Sequence, residues 1–250
     1  MPTSLPPEKQ YHIECAPGDV GRYVLLPGDP GRVPIIASFL EGAVKVAQNR
    51  EYTTMTGTLD GVKVSVTSTG IGGPSTAIAV EELVKIGADT FIRVGTSGAM
   101  QPFMQNADLV VVSGAVRDEG TASHYMPMAF PAIANIDVVD CLTQACAARG
   151  MRHHVGLSHS KDSFYAEVSP ERMPMSDQLQ QQWKAWVMGG VLCSEMEAAA
   201  LFVVSSVLGK RAGGLMLGLN NVQPPDAMSN LCATAVEGVR RLIALDGATA

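Results

Sequence analysis

The sequence has few cysteines, and their arrangement does not fit a disulfide framework or a metal site. The chain of 250 residues contains five cysteines, an odd and scattered set without any C-x-x-C spacing. Such a set argues against a disulfide-stapled secreted domain and against a structural zinc site. We therefore expect a reduced, cytoplasmic protein that binds no transition metal.

Charged residues are also scarce, and long apolar runs are missing. Charged side chains make up 17% of the chain and apolar ones 46%, with a formal net charge of −6. No apolar run reaches membrane-spanning length, and no basic-then-apolar signal segment opens the sequence. The acidic balance argues against nucleic acid as the main partner. These features predict a well-packed globular protein, and they leave room for a large subunit interface.

Short apolar strands alternate with amphipathic helices along the chain, which predicts an α/β fold with one central sheet. Residues 54–59 and 62–67 flank Asp60-Gly61, a strong hairpin signal. Ser75 is the expected N-cap of a helix over 76–86, and Ser194 that of a helix running to about Leu208. Without an internal repeat or a linker, we expect an irregular arm over 1–20 and a single domain over 21–250.

A glycine-rich turn between a strand and a helix superficially resembles a dinucleotide-binding loop. Its glycines are Gly70, Gly72 and Gly73, so the G-x-G-x-x-G spacing is absent. No suitably placed acidic residue ends a following strand. We therefore expect no nicotinamide or flavin cofactor.

An arginine stands in the middle of an apolar run. Arg93 lies within Phe91–Met100, and the small residues Gly95–Gly98 predict that the strand breaks there into a loop. Burying a guanidinium is costly unless an anion meets it. The pattern therefore fits a site for an oxyanion such as phosphate. Pairing with a core carboxylate beside an ordinary turn fits it equally well.

Two other arginines and a glutamate fit an anion-binding edge. Arg32 follows the tight turn that begins at Pro27, Arg50 ends a predicted strand, and both stand near Gly or Thr as Arg93 does. Strand ends that gather at one edge of a sheet would unite these cations in one pocket. Glu197 lies in the first turn of a predicted helix, where it either compensates the helix dipole or accepts hydrogen bonds from a vicinal diol.

Five motifs in series give the chain a resemblance to the nucleoside phosphorylase family, from about Val24 to Leu242. They are Pro27-Gly-Asp-Pro-Gly-Arg32, Asn49-Arg-Glu-Tyr52, Ser68-Thr-Gly-Ile-Gly-Gly-Pro-Ser75, Ile92-Arg-Val-Gly-Thr-Ser-Gly98 and Ser194-Glu-Met-Glu197. Within that family the chain is most similar to the uridine phosphorylases, through Lys161–Tyr165 and Ser169–Pro174.

The resemblance implies a set of site residues, with some supplied by a neighbouring subunit. It assigns phosphate to Gly28, Arg32, Arg93 and Thr96, and to Arg50 of a neighbour. It assigns the ribose to Met196, Glu197 and a neighbour's His12. It assigns the base to Ser97, Gly98, Phe164, Glu167, Arg172 and Glu195, and a monovalent cation to Glu51, Ile71 and Ser75.

The resemblance also implies a fold, an assembly and a reaction. The family fold is a single domain with a mixed, distorted β-sheet flanked by helices, usually assembled as a hexamer built of dimers. The implied reaction is that of a pentosyltransferase of nucleoside salvage, which converts uridine and phosphate to uracil and ribose 1-phosphate. Phosphate is then a co-substrate, no cofactor is needed, and some relatives hold a cation such as K⁺ at the dimer interface.

The base-binding residues depart from the uridine phosphorylase pattern. Glu167 stands where a glutamine is expected, and an ionised carboxylate accepts hydrogen bonds but donates none. Glu167 suits the N1–H and 2-amino donors of guanine, unless it turns away to pair with Arg172. Asn220-Asn221 lacks the acid of purine-specific relatives and favours uridine. A guanosine or inosine phosphorylase, a hydrolytic nucleosidase and an inactive nucleoside-binding protein stay as alternatives.

Overall fold

The computed structural model of the protein describes residues 9–249, in which strands and helices alternate. The strands are β1 (Tyr23–Leu26), β2 (Glu41–Asn49), β3 (Tyr52–Leu59), β4 (Val62–Thr67), β5 (Thr90–Ala99), β6 (Leu109–Asp118), β7 (Ala132–Ile133), β8 (His153–Lys161), β9 (Cys193–Glu195) and β10 (Arg211–Leu219). The helices are α1 (Val33–Ala37), α2 (Gly73–Lys85), α3 (Ile136–Ala148), α4 (Phe164–Val168), α5 (Ser176–Met188), α6 (Ala198–Val207) and α7 (Ala227–Thr249).

The strands form one mixed sheet, part of which closes on itself. Strand β5 pairs with both β9 and β10, β10 pairs with β6, and β8 joins β6 to β9, so these five strands make a closed ring. From β5 the sheet continues outward through β1, β4, β3 and β2. Strand β1 is parallel to its neighbours β4 and β5, whereas β3 is antiparallel to its neighbours β2 and β4. The predicted single α/β domain with a distorted mixed sheet and flanking helices is confirmed.

The strands and helices with the most apolar residues are the most deeply buried. All four residues of β1 and the first eight residues of α6 are buried, as expected of elements that are apolar on every side. Helix α5 has no buried residue and lies at the periphery. The described part of the arm packs closely against the domain, because Ile13 and Cys15 are fully buried. The exact boundary between arm and domain at residue 20 stays a prediction.

The loop predicted at Gly95–Gly98 is wrong, because β5 runs on to Ala99. Gly98 pairs with Leu219 of β10 on one side and with Ser194 of β9 on the other. A Cβ on Gly95 would lie 2.8 Å from the sulfur of Met216. The small residues therefore allow close packing within the sheet, where sequence patterns alone suggested a turn.

The hairpin is confirmed, whereas both predicted serine N-caps are wrong. Asp60 and Gly61 join β3 to β4 with positive φ angles of 51° and 79°, as a tight hairpin turn requires. Helix α2 begins at Gly73, because the positive φ of Gly72 ends the preceding turn three residues before Ser75. Ser194 belongs to β9, and Glu197 is the N-cap residue of α6.

The loops after β1 and β4 meet at one edge of the sheet. The amide of Thr69 donates to the carbonyl of Pro27 at 2.9 Å, and that of Gly70 donates to Gly28 at 3.0 Å. Since β5 is parallel to β1 and adjacent to it, Arg93 lies beside this junction. The fold thus brings the motifs at Gly28, Gly70 and Arg93 to one place.

Candidate active site

A cavity of about 900 Å³ opens at this edge of the sheet. Most of the residues implied by the sequence resemblance line it: Gly28, Arg32, Glu51, Ile71, Ser75, Arg93, Thr96, Ser97, Gly98, Phe164, Glu167, Glu195, Met196 and Glu197. His12, Arg50 and Arg172 are not among the lining residues. The chain therefore brings together the implied phosphate, ribose and base residues, apart from these three.

Two guanidinium groups share one end of the cavity. Arg32 donates to Thr96 Oγ1 at 3.2 Å, and burial together with the positive charge of Arg93 lowers the pKa of Arg32. Arg93 is about 5% exposed, and its Nε–H has no hydrogen-bond partner among the described residues. Buried like charges of this kind repel each other until an anion lies between them. This end of the cavity therefore suits a phosphate group.

Gly28 leaves the space in which Arg93 lies. A Cβ at this position would lie 3.1 Å from the carbonyl oxygen of Gly70 and 3.3 Å from both terminal nitrogens of Arg93. These contacts are tighter than an ordinary side chain tolerates. The glycine thus permits the backbone to approach the guanidinium and anything bound to it.

Glu197 is a buried carboxylate fixed by two donors. Its Oε1 accepts from the amide of Gly72 at 2.7 Å, and its Oε2 pairs with Nη2 of Arg93. The side chain is 4% exposed, so this ion pair is almost fully removed from water. Arg93 thus pairs with a core carboxylate, as one alternative predicted, and it also faces the cavity; its role in binding an oxyanion stays a prediction. Each Glu197 oxygen has a further lone pair with which to accept a hydroxyl.

Glu195 also lines the cavity, but its oxygens are committed to the start of α6. Its Oε2 accepts from the amides of Glu197 and Ala198, both at 2.8 Å. Its Oε1 accepts from the hydroxyls of Ser158 and Ser160. Burial and the charge of Glu197 raise the pKa of Glu195, and these donors oppose that shift. The geometry is that of a helix-capping carboxylate.

The end of the cavity that holds residues implied for the base contains an ion pair between Glu167 and Lys161. The Nζ of Lys161 lies 2.7 Å from Oε2 of Glu167, which also accepts from Ser194 Oγ. Burial alone would raise the pKa of Glu167, but hydrogen bonds from His159, Lys161 and Ser194 outweigh burial and lower it. The pairing of Glu167 with Arg172 is therefore wrong, and Glu167 stays ionised inside the protein.

Lys161 is the functional candidate that the sequence interpretation missed. It is the last residue of β8 and is 6% exposed, which is unusual for a lysine. The signal was present, because Lys161 opens the motif Lys161-Asp-Ser-Phe-Tyr165 and stands six residues before Glu167. It was overlooked because Lys161 ends a strand and Glu167 lies in the short helix that follows, so their separation of six residues carries no periodic pattern that predicts contact.

His12 and Arg50 do not line the cavity of their own chain, and each contacts the chain neighbour of the other. The ring of His12 hydrogen-bonds Oε1 of Glu82 at 2.6 Å, and Asn49 donates to the carbonyl of His12 at 2.8 Å. The guanidinium of Arg50 lies 5.8 Å from the ring centroid of Tyr11. The two residues thus form one surface feature.

The three residues implied for a cation surround the start of α2. The hydroxyl of Ser75 lies 3.2 Å from the carbonyl oxygens of Ile71 and Gly72, and the Glu51 side chain packs against Gly70. Hydroxyl and carbonyl oxygens are ligands that K⁺ accepts. Across residues 9–249, no group of three or more His, Cys, Asp or Glu side chains is arranged to hold a metal ion.

Comparison with known proteins identifies the family. The family model described as the Phosphorylase superfamily matches residues 22–244. The chain belongs to the phosphorylase superfamily. A uridine phosphorylase of Treponema pallidum is 47% identical over 247 residues, which cover 95% of each chain. A uridine phosphorylase of Thermococcus kodakarensis is 48% identical over 213 residues, covering 82% of this chain and 74% of the relative.

The chain is also similar to a relative that is named for a different nucleoside. A guanosine phosphorylase of Halorubrum lacusprofundi is 38% identical over 240 residues, covering 94% of this chain and 95% of the relative. Among the described residues, no helix of this superfamily member is both long and apolar enough to cross a membrane.

Proposed function

We propose that this member of the phosphorylase superfamily converts uridine and inorganic phosphate to uracil and ribose 1-phosphate. The observation that carries the proposal is the buried Arg93–Glu197 pair beside Arg32 in one cavity. This arrangement offers an anion site next to a carboxylate with free lone pairs, which are the two groups that phosphorolysis of a ribonucleoside requires. The uridine phosphorylases of Treponema pallidum and Thermococcus kodakarensis support the choice of uridine.

The reaction follows from where these groups lie. A phosphate oxygen, held by Arg32 and Arg93, forms the new bond to C1′ of the ribose. The bond from C1′ to N1 of the base breaks, and its electron pair leaves with the base, which then takes up a proton. Glu197 accepts hydrogen bonds from the two ribose hydroxyls and stabilises the positive charge that develops on the sugar. The protein forms no covalent intermediate in this scheme.

Glu167 and Lys161 together offer the base the acceptor and the donor that the expected glutamine would supply. A glutamine amide offers one acceptor and one donor to the base, whereas Glu167 alone offers only acceptors. Lys161, 2.7 Å away, adds the donor. In this proposal Glu167 accepts from N3–H of uracil and Lys161 donates to a neighbouring carbonyl oxygen. Ser97, Gly98 and Phe164 complete the base pocket.

The proposal includes an assembly in which copies of the chain share their sites. His12 and Arg50 do not line the cavity of their own chain, and this supports a role for them in the cavity of a second copy. His12 would then contact the ribose and Arg50 the phosphate, in a hexamer built as a trimer of dimers. A K⁺ ion between Glu51, Ile71 and Ser75 belongs to the same proposal, as does a cytoplasmic role in nucleoside salvage, which the five free, buried cysteines support.

The test is base release from uridine, thymidine, inosine and guanosine, each measured with and without phosphate. We expect release of uracil that depends on phosphate, with equimolar ribose 1-phosphate as the second product. Release without phosphate would instead identify a hydrolytic nucleosidase. Binding of uridine without turnover under either condition would identify a nucleoside-binding protein.

A guanosine phosphorylase is the second candidate, and two observations favour it. Glu167 is ionised and can accept both N1–H and the 2-amino group of guanine, and the Halorubrum lacusprofundi relative is a guanosine phosphorylase. Turnover of guanosine or inosine without turnover of uridine would establish this candidate. Asn220 and Asn221 argue against it, since neither supplies an acid to protonate a purine N7.

A further inference from the structure

A second cavity, of about 560 Å³, lies behind the base end of the nucleoside cavity. The two cavities share Lys161 and Glu167, so this ion pair forms the wall between them. Nothing in the proposed phosphorolysis uses the other walls of the second cavity. Its position is nevertheless specific, because whatever occupies it lies next to the base on the side away from the sugar and phosphate.

The far wall of this second cavity is aromatic. It contains Trp183 and Trp186, which stand three residues apart on one side of α5 and are the only tryptophans in the chain. Both are only partly buried, on a helix without any buried residue. The buried ring of His159 faces them, with centroid distances of 6.5 Å to Trp183 and 6.0 Å to Trp186. The two indole rings therefore line this cavity and are not part of the buried core.

The ionised side chains around the second cavity leave a net charge of −1 while His159 is neutral, and no net charge when its ring is protonated. Asp118 and Asp162 carry negative charge, Lys184 carries positive charge, and the Lys161–Glu167 pair is neutral as a whole. His159 Nε2 lies 2.9 Å from Oδ2 of Asp118, so a protonated His159 ring neutralises the charge of that carboxylate. A rim of such low net charge around aromatic walls offers donors and acceptors with little attraction for an ion of either sign.

We propose that the second cavity is a binding site for a neutral, planar heterocycle, the chemical class of the released nucleobase. Flat rings stack on indole faces, and the rim provides hydrogen bonds to ring N–H and carbonyl groups. The cavity exceeds the size of one pyrimidine or purine ring several-fold. This inference rests on the proposed function for the identity of its ligand, whereas the cavity and its aromatic walls are independent of that function.

Simultaneous occupancy is the consequence that separates this site from the nucleoside cavity. If uracil binds only where uridine binds, the two ligands exclude each other. If uracil also binds beside Trp183 and Trp186, a complex of the protein with both ligands forms, and uracil inhibits the reaction in part without competing with uridine.

The experiment uses the two tryptophans as reporters. Full-length protein in phosphate-free buffer, where phosphorolysis has no co-substrate, is saturated with uridine and then titrated with uracil. Tryptophan emission is followed, and binding of labelled uracil is measured by equilibrium dialysis. We expect a change in emission and about one uracil bound per chain while uridine stays bound. Loss of both signals under saturating uridine would overturn the proposal.

Variants of the aromatic wall make the test specific. Trp183→Ala and Trp186→Ala should each weaken uracil binding in the presence of uridine by roughly tenfold, whereas Trp183→Phe, which keeps a ring, should weaken it little. Met188→Ala is the matched control, because Met188 lies on the same helix, is 88% exposed and does not line the cavity. Equal uracil affinity in the alanine variants and in the control would contradict the proposal.

The design also separates failure of the second site from failure of the proposed function. The variants keep Lys161 and Glu167, so phosphate-dependent base release from uridine tests the function without reference to the tryptophans. If uridine does not bind at all, dialysis with uracil alone still compares Trp183→Ala and Trp186→Ala with the control. An unchanged count of bound uracil would then overturn the second site by itself.

Discussion

At the scale of single residues, the site depends on how buried charges are paired. Glu197 is held by Arg93 and by the amide of Gly72, so its negative charge is fixed before any substrate binds. In the proposed reaction such preorganised charge is effective, because it needs no rearrangement when positive charge develops on the sugar. The cost of burying the pair is offset only while both partners are present.

The substitution Glu197→Gln tests this assignment. The amide still accepts from Gly72, but it carries no negative charge toward Arg93 or the ribose. We expect kcat/KM for uridine to fall by about 100-fold or more, from the loss of charge-assisted hydrogen bonds. Steady-state kinetics measure the fall, and the surface variant Glu237→Gln serves as the control. Kinetics equal to those of the control would exclude Glu197 from the site.

The cluster of Glu167, Lys161 and His159 predicts how stability depends on pH. The lowered pKa of Glu167 means that its contribution is present above about pH 4.5 and is lost as pH falls through the folded value. Burial alone would lower the pKa of His159, but Asp118 and Glu167 raise it. Its contribution is therefore present below about pH 6.5 and is lost as pH rises through the folded value.

The two contributions overlap between about pH 4.5 and 6.5. We expect wild type to exceed Glu167→Gln in free energy of unfolding by a margin on the order of 1 kcal/mol that is largest in this window. Urea unfolding at a series of pH values measures the margin, and Glu237→Gln again provides the reference. If this difference in free energy of unfolding is the same at every pH, the stability that the cluster provides does not depend on protonation of Glu167 or His159.

The residues that line the cavity were largely predictable from the sequence, whereas the contacts between their side chains were not. Gly28, Arg32, Arg93 and Glu197 were expected from motif resemblance, and all four line the cavity. The partner of Glu167 was not foreseen, because whether a carboxylate meets Lys161 or Arg172 depends on the path of a loop. Sequence spacing predicts contact only within regular helices and strands.

At the scale of elements, the start of α6 shows one residue with two possible roles. Glu195 was expected to contact the base, yet its carboxylate accepts from two amides at the helix start and from two serine hydroxyls. We infer that it caps the helix and thereby positions Glu197, two residues further along. Helix capping by a carboxylate also stabilises the helix dipole.

Glu195→Ala should therefore act on stability. We expect it to lower the free energy of unfolding by about 2–4 kcal/mol, because the cap is lost and buried donors are left without partners. Glu195→Gln retains an acceptor and should cost about 1 kcal/mol. Urea unfolding measures both variants. If their stability equals that of wild type while the preference between uridine and guanosine changes, Glu195 reads the base.

The predicted ends of strands and helices were wrong where small residues are compatible with more than one local structure. Gly95–Gly98 indicated a loop but lie inside β5, since glycines also permit the close packing of three neighbouring strands. Ser75 and Ser194 are good N-cap residues by type, but the positive φ of Gly72 and the short strand β9 set the actual helix starts. Local propensity is outweighed here by pairing with distant strands.

At the scale of the whole molecule, the α/β class followed from alternating strands and helices, but the closed ring did not. Closure depends on β10 pairing with β5, which lies more than one hundred residues earlier in the chain. The two-residue strand β7 and the three-residue strand β9 are also too short to leave a periodic pattern. Long-range pairing of this kind is fixed by packing of the complete fold.

An assembly in which copies of the chain share their sites predicts how two arginine variants behave, alone and together. Arg50 lies outside the cavity of its own chain, whereas Arg32 lies inside it. If copies share their sites, Arg50→Ala disables the cavity of the neighbour and Arg32→Ala disables its own. Each variant alone should lose most phosphorolysis, because the phosphate then has one guanidinium fewer.

Co-expression of the two variants should restore activity. In a mixed pair, the cavity of the Arg50→Ala chain keeps Arg32 and receives Arg50 from its neighbour, so one site of the two is complete. Random pairing gives half mixed pairs, and we expect about a quarter of wild-type activity. Phosphorolysis of uridine by the purified mixture measures the recovery. Activity no greater than the average of the separate variants would show that each cavity works within its own chain.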